Sequence, residues 1–475
     1  MQQLQLTNRV ARASRGILAR PLHPRLASKR CLATTSDAPV VANTTRSHRV
    51  VVVGGGSAGS NVSHQLLRSG KYNKPGDIAV VDPAEWHHYQ PGWTLVGGGL
   101  ARKNDFRLRL ADIHDAKLRL YRNRVAAFAP RDNRIVLENG DALEYGQLVV
   151  CPGISTNYAQ IRGLPEALAD PASRVSSIYS YDHCDKVFPE IERLRGGRAI
   201  FTQPLGMIKC AGAPQKAMWL ALDYWKRAGL LNYSSSSSSS SSPIRISFAT
   251  GLPGMFGVPK YSAKLAELAQ ERGVEPLFQH DLVEVDTSSS SGRGGGGGGG
   301  GRATFALPDG SRTTKSFDFL HASPKMGPHE FVARSPLADA AGLVSVDSAT
   351  LRHTAYDNVW ALGDAASLPT SKTAAAITAQ APVLVANLLG AEEGREPQAT
   401  YDGYTSCPLI TEYGKVLLAE FKYGPEPKET FGRLLGVDQV EPRRAFYHLK
   451  KDFFPWVYRK FMVKGTWAGP KGFIR

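Results

Sequence analysis

Cys210 combines several features that favour a reactive thiol. It lies between Lys209 and Lys216, and Pro214 marks the first turn of the helix predicted to follow it. Nearby ammonium groups and a helix N-terminus both lower the pKa of a thiol and so favour the nucleophilic thiolate. An isolated cysteine is more often a small buried hydrophobic residue, so this position alone leaves both interpretations open.

A glycine-rich turn near the N-terminus has the residue types that bind the phosphates of a dinucleotide. A buried-strand pattern at residues 50–53 leads into a G-x-G-x-x-G motif formed by Gly54, Gly56 and Gly59. The first glycine makes the tight turn, the second lets the backbone approach a pyrophosphate, and the third lets the following helix pack closely. A predicted helix and a second strand then lead to Asp82, the acid expected to bind a ribose hydroxyl. The sequence therefore predicts a dinucleotide-binding domain rather than a simple glycine-rich turn.

Further glycines extend this pattern along the chain. One strand ends at Gly153, and a later strand runs into Gly363-Asp364. With the glycine motif, this arrangement resembles the two-dinucleotide-domain flavoproteins. The resemblance implies an α/β fold in which a second Rossmann-like domain is inserted into a discontinuous FAD-binding domain, and it implies that Gly363 and Asp364 contact FAD. Most members of that family bind NAD(P)H in the second domain, but here the strand at residues 199–202 leads into no second glycine motif.

Long strings elsewhere in the chain resemble the mitochondrial sulfide:quinone oxidoreductases. Residues 209–216, 368–376 and 401–409 carry most of this resemblance, which extends over nearly everything beyond the N-terminal segment. It implies that Cys210 and Cys407 form a redox pair, with hydrogen sulfide, ubiquinone and a small thiol or sulfite acceptor as partners. By thiol–disulfide exchange, hydrosulfide would open a Cys210–Cys407 bridge and leave a persulfide on Cys210 and a thiolate on Cys407 that reacts with the flavin.

The same resemblance implies a set of FAD contacts beyond the glycine turn. They are expected at Ser57, Ala58, Asp82, Gln90, Val125, Asp364, Lys372, Thr373, Ala374 and Ala375. Lys372 is also a candidate to balance negative charge on reduced flavin, the alternative being a solvated surface lysine. No metal is expected, because His87 and His88 have no companion ligands at zinc spacing.

The net charge of +16 is concentrated at the two ends of the chain. Residues 1–36 contain seven basic residues and no acid, which is typical of a mitochondrial presequence, whereas a nucleic-acid-binding arm would carry interleaved aromatic residues. Residues 446–475, the tail, contain nine aromatic and seven basic residues with one acid, which favours a segment lying in an anionic membrane surface. An amphipathic helix packed on the core has the same spacing. We therefore expect no nucleic-acid partner and a location on the matrix side of the inner mitochondrial membrane.

These segments predict the domain organisation. The expected parts are a FAD-binding domain at 47–160 and 336–395, an inserted domain at 161–335 that carries Cys210, and a C-terminal region at 396–475 that carries Cys407 and the tail. Low-complexity runs at 234–242 and 288–301 are expected to form loops inside the inserted domain.

Three other functions remain compatible with this organisation. A flavocytochrome-type sulfide dehydrogenase shares the cysteine pair but passes electrons to a haem subunit, and the aromatic and basic tail favours a quinone over that acceptor. A type II NADH:quinone dehydrogenase shares the fold and the membrane tail, but it should show a second glycine motif. A non-catalytic flavoprotein of the apoptosis-inducing-factor kind would not need two cysteines at the flavin. Five cysteines without a CxxC pair exclude a secreted disulfide scaffold. The uncharged stretch at 373–391 contains polar residues and a proline, so it predicts a core helix rather than a membrane span.

Overall fold

The computed structural model describes residues 43–231, 242–288 and 300–474, all within one compact unit that begins at Ala42. The predicted presequence and most of both low-complexity runs lie outside these ranges. The strands are β1 Thr45–Val53, β2 Ile78–Val81, β3 Trp86–His88, β4 Arg107–Arg109, β5 Arg119–Tyr121, β6 Val125–Ala129, β7 Arg134–Leu137, β8 Ala142–Val150, β9 Ser155–Asn157, β10 Val175–Ser176, β11 Gly197–Gln203, β12 Ile244–Thr250, β13 Val274–Phe278, β14 Asp281–Asp286, β15 Gly301–Ala306, β16 Arg312–Phe317, β17 Phe319–His321, β18 Lys325–Gly327, β19 Val359–Ala361, β20 Thr405–Glu412, β21 Lys415–Lys422 and β22 Glu426–Pro427. The α-helices are α1 Ser57–Arg68, α2 Trp93–Gly97, α3 Leu110–Ile113, α4 Leu164–Ala169, α5 Val187–Arg193, α6 Ala213–Arg227, α7 Pro259–Glu271, α8 Glu330–Ala333, α9 Ala374–Ala391, α10 Thr430–Leu435, α11 Arg444–His448 and α12 Phe454–Val457.

The first sheet contains the glycine turn at the end of its central strand. Its order is β5-β2-β1-β8-β7-β6, and β19 pairs in parallel with β8. Strands β1, β2, β5, β8 and β19 run parallel, and the apolar run of β2 is buried along its whole length, as parallel strands covered on both faces require. Because β19 comes from far along the chain, this sheet is discontinuous in sequence, as predicted.

The second sheet is all parallel, with the order β10-β17-β11-β12-β13. Helix α6 follows β11 and α7 follows β12, so this sheet repeats the strand-helix-strand arrangement of a Rossmann fold. Strands β14, β15 and β16 form a separate antiparallel sheet. The expected α/β fold with two Rossmann-like parts is therefore confirmed, whereas the exact domain boundaries stay predictions.

The geometry of the glycine turn explains why its residues lack side chains. Gly54 has φ +101°, and a Cβ atom there would lie 2.6 Å from the carbonyl oxygen of Cys151. A Cβ atom at Gly59 would lie 1.8 Å from the carbonyl oxygen of Gly54, so only glycine lets α1 pack against β1 this closely. A Cβ atom at Gly56 would meet open space. The turn is thus packed tightly on its inner side and open where a phosphate group would approach.

Helix α9 is long and apolar enough to cross a membrane by length and composition alone, but most of it is buried inside the protein. It packs on α1. Its buried polar side chains have partners, since Gln380 accepts a hydrogen bond from the backbone N–H of Gly363 at 2.9 Å and Asn387 donates to the carbonyl oxygen of Ala399 at 2.8 Å. These contacts agree with the predicted core helix.

The tail differs from the single interfacial helix that its composition predicts. Helix α11 continues through a π-helical turn, Leu449–Phe453, into α12 and then into a second π-helical turn, Tyr458–Met462. One face of this segment joins the core of the first sheet, whereas Trp456 is 49% exposed and Phe473 is 56% exposed. The tail therefore packs on the core with one face and presents aromatic rings to solvent with the other. The inward face agrees with the core-packed interpretation, whereas contact of the outward face with a membrane stays a prediction.

Candidate active site

The structure brings together two cysteines that lie far apart in the sequence. Cys407 lies in β20, which packs on α6, while Cys210 lies in the turn just before α6. Their Sγ atoms are 3.9 Å apart, and both are free thiols. Cys210 has φ +54°, a left-handed backbone conformation that costs energy for a residue other than glycine and that tends to persist at functional sites.

Electrostatics assign different protonation states to the two sulfur atoms. The hydrogen bond from Cys407 is the main cause that holds the pKa of Cys210 well below its usual range, and the charges of Lys216 and Lys450 add to it against the effect of burial. The Lys216 Nζ donates to the Cys210 Sγ at 3.3 Å. The same hydrogen bond and burial raise the pKa of Cys407 well above its usual range. In this coupled pair Cys210 is therefore the thiolate and Cys407 keeps the proton.

Two buried lysines stabilise the negative charge of the Cys210 thiolate. Lys216 is 2% exposed, and although burial disfavours its charged form, the two cysteines outweigh burial and raise its pKa. Lys450, from the tail, is 3% exposed and donates to the carbonyl oxygen of Pro91 at 2.8 Å. Burial, with the nearby charge of Lys216, lowers the pKa of Lys450 to about 7.

Of these two lysines, Lys216 was predicted from the sequence to act on Cys210 and Lys450 was not. Lys209, the other lysine expected to act on Cys210, is not among the main causes of its lowered pKa. Burial lowers the pKa of Lys209, its charge interacts with the Asp364 carboxylate, and its Nζ lies 5.9 Å from the centre of the Trp93 ring. Lys450 takes that place. The sequence signal for Lys450 is a lysine at helical spacing between aromatic residues, a pattern shared by membrane-surface helices and by amphipathic helices packed on a core.

A cavity adjoins the glycine turn, and we call it the dinucleotide cavity. Most of the residues predicted to contact FAD line it, namely Gly56, Ser57, Ala58, Gln90, Gly363, Asp364, Lys372, Thr373 and Ala374. It is also lined by Trp93, Tyr179 and Cys210. Among these, the sequence analysis did not foresee Trp93 or Tyr179 as lining residues, because neither belongs to a motif.

The residues at this cavity fit a dinucleotide. Helix α1 has no side-chain cap and no acid in its first turn, so its N-terminal amides are free to bind a phosphate group. Asp82 accepts hydrogen bonds from the backbone N–H groups of Gly55 at 2.6 Å and Ala84 at 2.8 Å, which fixes the turn. Burial, only partly offset by these hydrogen bonds, raises the pKa of Asp82. The open space at Gly56 leaves room for a phosphate group beside these amides.

The Gly363-Asp364 turn is held by the residues that were predicted beside it. The Lys372 Nζ donates to the carbonyl oxygen of Asp364 at 2.6 Å, so this half-buried lysine holds the turn rather than extending freely into solvent. Thr373 caps α9 by accepting a hydrogen bond from the Ala376 N–H at 3.1 Å. Burial raises the pKa of Asp364 despite the charge of Lys372.

The remaining predicted FAD residues do not line this cavity. Gly54, Gly59 and Asp82 shape the turn from behind, and Ala375 lines a second cavity instead. Val125 begins β6 and is buried. Their assignment to FAD binding stays a prediction.

The second cavity, which we call the apolar cavity, has a volume of about 400 Å³. Its aromatic lining residues come mainly from the tail and are Tyr89, Tyr404, Phe431, Phe453, Phe454, Tyr458 and Trp467. Cys210, Lys216 and Thr373 line both cavities, so the thiolate lies where the two cavities meet. Cys407 lines neither of them. Within the described part of the chain, no group of three or more potential ligands could hold a metal ion.

Gly212 allows the cysteine pair to form. A Cβ atom at this position would lie 2.6 Å from the Cys407 Sγ and 2.4 Å from the Leu409 Cδ2. We expect Gly212→Ala to push the two sulfur atoms apart and to slow flavin reduction about a hundredfold without loss of FAD, because displacements of this size commonly cost that much in rate. Stopped-flow absorbance measures the effect. Gly257→Ala, where a Cβ atom meets open space, is the matched control, and equal rates in the two variants would contradict the expectation.

Two Rossmann-like sheets, an open glycine turn and a cysteine pair beside the cavity at that turn define a two-dinucleotide-domain flavoprotein. Residues 48–193 match the family model of the pyridine nucleotide-disulphide oxidoreductases. FAD is the cofactor of this class, and the fit of the dinucleotide cavity agrees with it.

The similar proteins narrow this class to one family. The chain is 47% identical to the mitochondrial sulfide:quinone oxidoreductase of Schizosaccharomyces pombe, over 90% of this chain and 92% of that protein. It is 42% identical to the protein of the same name from Dictyostelium discoideum, over 89% of this chain and 87% of the relative. The X-ray structure of the sulfide:quinone oxidoreductase from Aquifex aeolicus has the same fold, with a TM-score of 0.67, 17% identity and coverage of 87% of this chain and 91% of that one. The chain belongs to the sulfide:quinone oxidoreductase family.

Proposed function

We propose that this chain oxidises hydrogen sulfide with the Cys210–Cys407 pair, transfers two electrons through FAD to a quinone, and passes the sulfur atom to a small acceptor. The observation that carries this proposal is the pairing of the Cys210 thiolate with the buried Cys407 thiol, with Cys210 at the junction of the two cavities and Lys216 bonded to it. When bound, FAD supplies the two-electron acceptor for the cysteines and the two-electron donor for the quinone.

The electrostatics support roles for the two cysteines that are opposite to those expected from the sequence. In thiol–disulfide exchange, the sulfur with the lower pKa is the better leaving group. Hydrosulfide therefore attacks the Cys407 sulfur of the bridged pair, so that the persulfide forms on Cys407 and Cys210 leaves as the thiolate. Lys216 stabilises that thiolate, which lies in the wall of the dinucleotide cavity.

The acceptor completes the sulfur transfer. A thiolate or sulfite attacks the outer sulfur of the Cys407 persulfide and carries that sulfur away, which leaves a thiolate on Cys407. When the two thiolates re-form the bridge, they release the two electrons that the cofactor accepts. With a thiol acceptor, hydrosulfide and the thiol thus yield a persulfide, one proton and two electrons. The charges of Lys216 and Lys450 attract both anionic reactants.

The apolar cavity has the chemistry of a quinone site. A volume of about 400 Å³ lies within the range of small-molecule sites, and aromatic walls suit a quinone ring with an isoprenoid chain. The cavity adjoins the dinucleotide cavity through Cys210 and Thr373, so a quinone there would lie close to the cofactor.

The outward face of the tail supports contact with a membrane surface. Trp456 and Phe473 are exposed large apolar side chains, and basic residues surround them in the sequence. Such a surface buries its rings at the level of the lipid headgroups while its cations meet anionic lipids. We propose that the chain, after import by its presequence, binds the matrix side of the inner mitochondrial membrane in this way.

Removal of these two rings should release the protein from lipid. We expect the double variant Trp456→Ser with Phe473→Ser to lose most of its flotation with anionic vesicles while it keeps its FAD. Flotation on a density gradient measures this, and Leu205→Ser, which removes an exposed apolar side chain from the second domain, is the control. Unchanged flotation of the double variant would contradict a membrane role for these rings.

Turnover distinguishes the proposed function from its alternatives. FAD-loaded protein should reduce a short-chain quinone when sulfide and an acceptor are supplied, and should not do so with NADH. A type II NADH dehydrogenase would give the opposite result, and a non-catalytic flavoprotein would give neither reaction.

A further inference from the structure

A tyrosine from the tail reaches into the glycine turn. The Tyr458 hydroxyl lies 2.6 Å from the Ser57 Oγ and 2.6 Å from the His87 Nε2. Its ring packs on Tyr89 with a centroid distance of 4.5 Å and is 2% exposed. Ser57 is the first residue of α1 and lines the dinucleotide cavity. One hydroxyl group thus joins the tail to the turn that faces the cofactor.

Several further contacts hold the same part of the tail in place. Gly465 has φ +70°, and a Cβ atom there would lie 2.7 Å from the backbone nitrogen of Gln65, so the tail lies directly on α1. The Lys464 Nζ also donates to the carbonyl oxygen of Ile113. Tyr458 begins the second π-helical turn of the tail, a rare geometry that is frequent at functional sites.

Burial makes the two hydrogen bonds of Tyr458 important. Burial lowers the pKa of His87 to about 4, so its ring is neutral at physiological pH and exchanges a hydrogen bond with the tyrosine without a charge. When a buried polar group loses its partner, no hydrogen bond offsets the free-energy cost of its desolvation. When the tail leaves, Ser57 and His87 lose this partner together, and the turn loses a restraint on the residue that begins α1.

We infer that Tyr458 is a positioning residue for FAD, which couples the docking of the tail to retention of the cofactor. Coupling of this kind is reciprocal, so bound FAD also holds the tail in place. The inference rests on FAD binding in the dinucleotide cavity and does not depend on the sulfide chemistry. A protein that binds FAD but does not oxidise sulfide would contradict the proposed function and leave this coupling open to the same test.

The test is the release of FAD from diluted holoenzyme, followed by the rise of free-flavin fluorescence. For Tyr458→Phe we expect the dissociation constant of FAD to rise about tenfold, because, of its two lost hydrogen bonds, the one to Ser57 restrains a residue that lines the dinucleotide cavity, and one buried hydrogen bond has about this effect. The control is Tyr447→Phe, because the Tyr447 ring is also buried in the tail but its hydroxyl has no hydrogen-bond partner among the described residues. A purely structural role would lower the melting temperature of both loaded and unloaded Tyr458→Phe equally and leave FAD affinity unchanged, which would overturn the inference.

Hydrogen exchange of the tail measures the reciprocal effect. Saturating FAD should slow exchange of the amides at 454–463 in the wild-type protein. The factor by which FAD slows this exchange should be about tenfold smaller in Tyr458→Phe. If Tyr458→Phe does not fold, Ser57→Ala removes the other end of the contact and should speed exchange of the same amides in the holoenzyme. Tail exchange that does not respond to FAD, or to the loss of the Ser57 hydroxyl, would overturn the inference.

Discussion

Replacement of Cys210 or Cys407 by serine is expected to abolish sulfide-dependent quinone reduction, with a loss of at least about a thousandfold for each variant. The reason is covalent: a hydroxyl group neither forms the bridge that hydrosulfide opens nor carries a persulfide. FAD stays bound in both variants, because Cys407 does not line the dinucleotide cavity and a serine at position 210 is close in size to the cysteine. Steady-state quinone reduction and stopped-flow bleaching of the flavin measure the loss.

The cysteines that are not in the pair provide the control. Cys184 is fully buried and lines neither cavity. We therefore expect Cys184→Ser to keep the wild-type rate even if the stability of the protein falls. Wild-type turnover in either Cys210→Ser or Cys407→Ser would show that the persulfide relay is wrong.

Replacement of Lys216 by methionine has the second largest expected effect. This change keeps the length of the side chain but removes the ammonium group that donates to the Cys210 Sγ. The pKa of Cys210, which is held below its usual range by Cys407 and by the two lysines, must then rise. At neutral pH we expect sulfide-dependent flavin reduction to slow about a hundredfold, comparable to the loss of one preorganised charge or donor at a reacting atom.

The pH profile separates this effect from a general loss of structure. In the wild-type protein the Cys210 thiolate persists at neutral pH and is lost only as the pH falls through its lowered pKa. In Lys216→Met the loss begins at higher pH, so the deficit in rate grows towards acid and shrinks towards alkaline pH. Lys264→Met, which removes a charge from helix α7 in the same domain, should leave the profile unchanged. An equal deficit at every pH would mean that Lys216 does not act through the thiolate.

The fold could be predicted from short motifs, because the residues that interact within each motif are close in sequence. The strand, the glycines of the turn and Asp82 are close in sequence and form one unit, so their spacing alone predicts the dinucleotide-binding turn. The missing glycine motif after β11 was equally visible. The tail was harder to predict, since its composition gives its amphipathic character but not the two π-helical turns, which depend on packing against the first sheet.

The cysteine pair could not be predicted from residue types and spacing alone. The features around Cys210 left both a reactive thiol and a buried hydrophobic residue open, and nothing near Cys407 identified it as a partner. Only the resemblance to a family paired these two residues, whose Sγ atoms are 3.9 Å apart in the folded protein. The roles of the two sulfurs needed the structure as well, because they depend on burial and on Lys450, which comes from the tail.

An anaerobic titration of the FAD-loaded protein with sulfide is the most direct measurement of the central claim. In the presence of sulfite as acceptor, we expect one equivalent of sulfide to bleach one equivalent of flavin, and a quinone to restore the oxidised spectrum. NADH should leave the flavin oxidised, because the second Rossmann-like part has no glycine motif. A flavin that is bleached by NADH, or that sulfide does not bleach, would contradict the account.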